Sequence, residues 1–257
     1  MRRNGVHHEL VVMRLGVPPL KRLGARQTWT VSEGANPQPA SNGGFSWRAL
    51  FAGARTVPRL PWTATNTWKP TPLGFGLLVM GLMVFGIGEG AVLQSMIGNS
   101  PWTVLAQGLS RTLNLEIGLT TFAVSATVLL LWWPLRERPG LGTVANVLVI
   151  AAALDATSRL LPAATNVGMS VAYAVAGTLL VGLGSGVYLT TGLGPGPRDG
   201  LMTSLHRRTG WPVARVRLLI EITVFASGWA LGGAVGLGTV IFALLVPRAV
   251  AWGLALV

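Results

Sequence analysis

Two stretches decide how this chain folds: GIGEGAVLQSMIGNSPWTVLAQGLSR, residues 86–111, and GLGSGVYLTTGLGPGPRDGLMTSLHR, residues 182–207. Laid over each other at an offset of 96 residues without gaps, Gly86, Gly88, Gly90, Gly98, Pro101, Leu105, Leu109 and Arg111 fall on Gly182, Gly184, Gly186, Gly194, Pro197, Leu201, Leu205 and Arg207. The register continues outward. Gly81 falls on Gly177, Trp133 on Trp229, and the pentapeptide GLGTV at Gly140 to Val144 returns at Gly236 to Val240. A five-residue identity in step with a glycine ladder marks an internal duplication.

The composition places this duplication in a membrane. Of 257 residues, 51% are hydrophobic and 11% charged, too apolar for an ordinary soluble domain. From residue 71 onward, apolar segments long enough to cross the hydrocarbon core fall at 73–93, 116–133, 142–161, 169–190, 213–233 and 238–257. Residues 1–70 differ: they hold ten Lys or Arg against Glu9 and Glu33, with much Pro, Gly, Ser and Asn. That composition predicts a disordered basic tail, or a start codon placed too far upstream. Trp62 and Trp68 lie close enough to the first span to act as interfacial anchors. The net charge of +12 is read as basic tail and loops facing the cytoplasm and anionic headgroups rather than nucleic acid.

Each repeat, about 73–161 and 169–257, contains three spans. An odd number reverses the chain, so the second copy is expected upside down relative to the first. With the N-terminus inside, Arg136, Arg138, Arg198, Arg207, Arg208, Arg215 and Arg217 gather on the tail's side, leaving Arg111 and Arg159 outside. The positive-inside rule therefore predicts cytoplasmic termini in a bacterial inner membrane. The expected fold is an all-α bundle of about six transmembrane helices built from two inverted three-helix repeats, each with a short half-helix.

The half-helices follow the first span of each repeat. Pro101 and Pro197 suit a first helical turn, with Ser100 and Gly196 as caps. Beyond Pro101, Trp102, Leu105, Leu109 and Leu113 make one apolar stripe. Discontinuous helices of this kind line transporter sites, because their free N-terminal amides attract polar groups; capped interfacial loops are the structural alternative.

Charges in hydrocarbon mark either function or internal pairing. Five fall inside spans: Glu89, Asp155, Arg159, Glu221 and Arg248. Asp155 and Arg159 are one turn apart and predicted to pair. Arg198 and Asp199, at the second half-helix start, are expected to form a polar node with Glu221 or Arg217, Arg198 offering its planar fork to the Glu221 carboxylate. The glycine ladder reads as close helix packing. The absence of cysteine removes disulfides and thiolate sites, His206 stands alone outside the tail, and the glycine strings follow no strand. No catalytic centre, metal or cofactor is predicted, and the chain reads as a non-enzyme whose partner is the lipid bilayer.

The strings GNSPWTVL, RPGLGTVAN, GLGPGPRDGLM, and VRLLIE followed by GWALGGAVGLGTVIFAL resemble the YczE/YyaS/YitT family of bacterial integral membrane proteins over about residues 73–250. GPRDGLM is the most specific element, and Ile97 departs mildly from the usual leucine before the first half-helix. The resemblance implies a multi-pass membrane protein and supplies neither substrate nor catalytic residue. Two functions fit: a small-solute transporter with its site between the repeats, or a non-transporting accessory protein that supports another membrane protein or membrane-associated enzyme.

Overall fold

The computed structural model describes residues 57–256, and among these the regular structure is helical. The helices are α1 (Pro72–Gln94), α2 (Pro101–Leu113), α3 (Ile117–Leu130), the single turn α4 (Trp132–Leu135), α5 (Leu141–Leu160), α6 (Val167–Thr190), α7 (Pro197–Thr209), α8 (Val213–Ala230) and α9 (Leu237–Leu256). The starts of α2, α3 and α5 return 96 residues later as those of α7, α8 and α9. The turns repeat too. Gly98 and Gly194 take φ of 120° and 118°, and left-handed Met96, Asn114 and Arg136 are matched by Gly192, Gly210 and Gly232.

Among the described residues, five helices are long and apolar enough to cross a membrane: α1, Ile117–Leu135 (α3 with α4), α5, α6 and α9. The fifth expected span, 213–233, forms α8 but falls outside that set. It is shorter, 18 residues, and carries Arg215, Arg217 and Glu221.

The centre of the bundle is the crossing of α1 and α6, made possible by glycine. A Cβ added to Gly88 would lie 2.5 Å from the Gly177 carbonyl oxygen, and one added to Gly184 would lie 2.5 Å from that of Gly81. Contacts that advance along α1 retreat along α6, so the two helices run antiparallel. The 96-residue offset carries the Gly81–Gly184 contact onto the Gly177–Gly88 contact. The remaining ladder glycines face outward to the last helix of their own repeat. Gly86 and Gly90 abut Ala153 and Thr157 of α5, and Gly182 and Gly186 abut Ala249 and Gly253 of α9.

The loops preceding the half-helices are exchanged between repeats. Gly238 N–H of α9 donates to Ile97 O at 2.8 Å, and Gly142 N–H of α5 donates to Leu193 O at 2.8 Å. Gly98 correspondingly abuts Gly236, and Gly194 abuts Gly140. Small residues are required here because backbone meets backbone. On the outside, Phe122, Leu148, Leu218, Ile222 and Leu244 are exposed, the apolar exterior of a lipid-facing bundle. Trp133 and Trp229, equivalent by the repeat, are 85% and 65% exposed, as interfacial tryptophans are.

The tail reading of residues 1–70 lies outside the described residues up to position 56. From Val57 the chain differs from that expectation, because it is tied to the bundle. Thr63 Oγ1 donates to Thr190 O at 2.7 Å, Ala64 N–H to Thr191 O at 2.8 Å, and Trp68 Nε1 to Pro139 O at 3.1 Å. The Thr190 and Thr191 carbonyls belong to the end of α6, where a helix has no donors of its own to offer.

Candidate functional site

The two half-helices begin on one cavity of about 310 Å³. Ser100 and Pro101 of the first and Gly196 and Pro197 of the second line it, together with Glu89, Arg198, Asp199, Arg217 and Glu221. The lining carries the repeat: Phe85 and Val181, Glu89 and Ser185, Ser125 and Glu221, Asn146 and Phe242, and Ile150 and Val246 are equivalent pairs that face the same space. The cavity therefore straddles the relation between the two halves, and each half furnishes different chemistry at the same places.

At α2, Ser100 is the N-cap and its hydroxyl accepts from Thr103 N–H at 3.4 Å. Glu89, 1% exposed on α1, reaches this helix start. Its carboxylate accepts from Ser100 Oγ at 2.8 Å and from Thr103 Oγ1 at 2.6 Å. A carboxylate at a helix N-terminus is favoured by the amide dipoles, and two hydroxyl donors fix its orientation. Among the described residues Glu89 makes no ion pair.

At α7 the cap is Gly196, which has no side chain to offer. Asp199, in the first turn, supplies the carboxylate from within the helix and accepts from the Tyr188 hydroxyl at 3.2 Å. Asp199 is accessible to solvent yet surrounded by protein, since its open surface is the cavity wall. Arg198 turns across the divide and lays its guanidinium over the Trp102 ring, 5.0 Å from the centroid, a cation–π contact. Trp102 and Arg198 are the same position of the two repeats, so this contact joins equivalents.

The expected Arg198–Glu221 pair is not the one formed. Arg217 Nε meets Glu221 Oε1 at 2.8 Å along α8, because a partner four residues away on the same helix face needs no rearrangement to reach it. Arg198 acts on Glu89, Asp199 and Glu221 at longer range. Away from the cavity, Asp155 pairs with Arg159 at 2.8 Å, and Arg159 also meets Glu116 at 2.5 Å. These charges fasten the start of α3 to the end of α5, where Gly118 N–H donates to Asp155 at 3.1 Å. Arg248 stands apart on the exposed face of α9, donating to Leu244 O at 2.9 Å.

Residues 74–254 match the family of unknown function DUF6198. The chain belongs to that family. An uncharacterized membrane protein, YczE, of Bacillus subtilis (strain 168) is 32% identical over 167 residues, covering 64% of this chain and 78% of the relative. An uncharacterized protein of Haemophilus influenzae is 42% identical over 189 residues, 74% of this chain and 87% of that one. No solved structure matches. The YczE-type membrane family anticipated from the half-helix strings is thus the right one, and the protein is an integral membrane protein with several transmembrane helices.

The matched DUF6198 region contains the whole cavity, including residues that sequence reasoning passed over. Tyr188, Ser125 and Ser185 carry no motif of their own, while Trp102 and Asn146 lie in the quoted strings without having been assigned to a site. Their signal lay in the repeat: Ser185 stands where Glu89 stands, and Trp102 where Arg198 stands. A further apolar groove of about 450 Å³ lies on the far side of Trp102, lined by Leu105, Val124, Thr127 and their equivalents Leu201, Ile220 and Thr223. Trp132, buried beneath α7, donates from its indole to Pro197 O at 3.0 Å and packs on Gly200, holding the second half-helix start in place.

Proposed function

We propose that this protein is a small-solute transporter of the bacterial inner membrane. Its two halves have inverted topology, both termini are cytoplasmic, α8 serves as a sixth crossing, and the cavity between the half-helices is the solute site. One observation carries the reading: two short helices from equivalent positions begin on the same cavity, whose wall includes Glu89, Arg198, Asp199, Arg217 and Glu221. Charged and polar side chains are costly at this depth and are placed there when a solute or ion must be met. The antiparallel α1–α6 crossing supports the inversion, since two spans that begin equivalent repeats and run in opposite directions place the repeats in opposite orientations.

The rocking of one repeat against the other would open the cavity to either side in turn, with the glycine crossing as the fulcrum. The test is flux in reconstituted vesicles. Purified full-length protein is incorporated into liposomes under an imposed proton gradient and challenged with amines, amino acids, carboxylates and sugars while transported charge is recorded. Saturable current for one class, abolished by Arg198→Ala in protein that remains monodisperse, is the expected result. Folded, correctly inserted protein that passes none of these classes contradicts transport and favours the accessory role.

A further inference from the structure

The cavity's formal charges do not balance. Facing it are two arginines, Arg198 and Arg217, and three carboxylates, those of Glu89, Asp199 and Glu221. Arg217 is paired with Glu221 at 2.8 Å. Arg198 spends its planar face on Trp102 and acts at longer range on Glu89, Asp199 and Glu221 together. Glu89 is left with hydroxyl donors alone, Ser100 and Thr103. Tyr188 is the remaining titratable group on the wall and is engaged as a donor to Asp199; Asn146 of α5, Ser125 of α3 and Phe242 of α9 bring no charge.

We infer that the cavity takes a small monovalent organic cation, an ammonium-type solute, with the Glu89 carboxylate as its counter-charge. This rests on the transporter reading and specifies its substrate class. Three observations point the same way. By formal charge, a cation brings two positive and three negative groups to neutrality, whereas an anion deepens the imbalance inside a low-dielectric bundle, where an unmatched charge is costly. Each half-helix start already has a carboxylate of the protein's own beside it, Glu89 at α2 and Asp199 in the first turn of α7, and a second negative charge there is repelled. The wall beside Glu89 also includes Phe85 and Tyr188, aromatic faces that favour alkylammonium groups. A cavity of about 310 Å³ bounds the solute to the small end of the range of ligand sites.

The test uses full-length protein in detergent with tetramethylammonium and tetraethylammonium as probes and benzoate as the anionic control, read by calorimetry. At least one ammonium probe binds saturably and benzoate does not. Glu89→Gln, which keeps the size of the side chain, weakens that binding at least about tenfold, as befits loss of a direct charge partner. Glu89→Asp restores most of it, and Glu116→Gln, outside the cavity, leaves it unchanged. Absence of saturable binding by both ammonium probes, benzoate binding in their place, or unaltered affinity in a folded Glu89→Gln protein overturns the inference. Transport is judged separately in vesicles. Glu89-dependent cation binding without flux removes the transporter reading and leaves the site, while flux of an anion or a sugar unaffected by Glu89→Gln removes the cation and leaves the transporter.

Discussion

The first repeat brings a carboxylate to its half-helix from a neighbouring helix, Glu89 of α1, and the second grows one from the half-helix itself, Asp199 of α7. The backbones agree in helix starts and left-handed turns at an interval of 96 residues, yet the side chains facing the cavity have been exchanged. Ser100 is matched by Gly196, Thr103 by Asp199, Trp102 by Arg198 and Glu89 by Ser185. The same exchange occurs in packing. Trp132 fills the space above Gly200 in one half, and its equivalent Gly228 gives way to Val104 and Leu105 in the other. What the duplication preserves is backbone proximity; what it leaves free to diverge is the chemistry at the shared cavity.

The comparison is broken most severely at the crossing. Gly88→Ala and Gly184→Ala, equivalent positions whose added methyl meets backbone, are each expected to lower stability by about 3 kcal/mol or more, seen as lost folded fraction on thermal melting in detergent. Gly76, which has open space around it, serves as the control, and its alanine variant is expected to hold or gain stability. Unequal effects at Gly88 and Gly184 would show that the two halves do not share the crossing alike. Next in size is Trp132→Phe, which removes the indole donor from buried Pro197 O and is expected to cost about 1–3 kcal/mol. Its effect on melting should be accompanied by weaker solute binding, because Pro197 begins the second half-helix.

A smaller change sharpens the likeness instead. Arg136 takes φ of 56° where the other repeat has Gly232 at 87°. Arg136→Gly is expected to raise stability by about 1 kcal/mol by removing a left-handed side chain, while Gly232→Arg should lower it by a similar amount. Smallest of all is Arg159→Ala. The side chain is 56% exposed in its pairs with Glu116 and Asp155, so a change below about 1 kcal/mol is expected; a larger one would assign those charges more than fastening α3 to α5.

The backbone of this arrangement was legible in the sequence because glycine and proline report geometry directly. The glycine ladder foretold close packing, and Pro101 and Pro197 foretold the half-helix starts, since few other residues suit those places. Asp155 and Arg159 were legible because pairing within one helix depends only on spacing. The cavity's wiring was not. Whether Arg198 meets Glu221 or stacks on Trp102 depends on the relative height of α2, α7 and α8, which spacing along one chain does not encode. Apolar length alone did not decide α8, because it carries Arg215, Arg217 and Glu221, of which Arg217 and Glu221 pair with each other. The composition that placed residues 57–70 in the tail overlooked the donors of Thr63, Ala64 and Trp68, which acquire partners only once the ends of α5 and α6 lie beside them.

The central claim is that equivalent positions of the two repeats lie on opposite sides of the membrane. The chain has no cysteine, so single cysteines can be introduced at Leu113 and Thr209 and at Pro139 and Val235, pairs 96 residues apart, and labelled in intact cells with a membrane-impermeant maleimide. The account predicts labelling from outside at positions 113 and 235, and labelling only after permeabilisation at 139 and 209. Labelling of both members of either pair from the same side would contradict it.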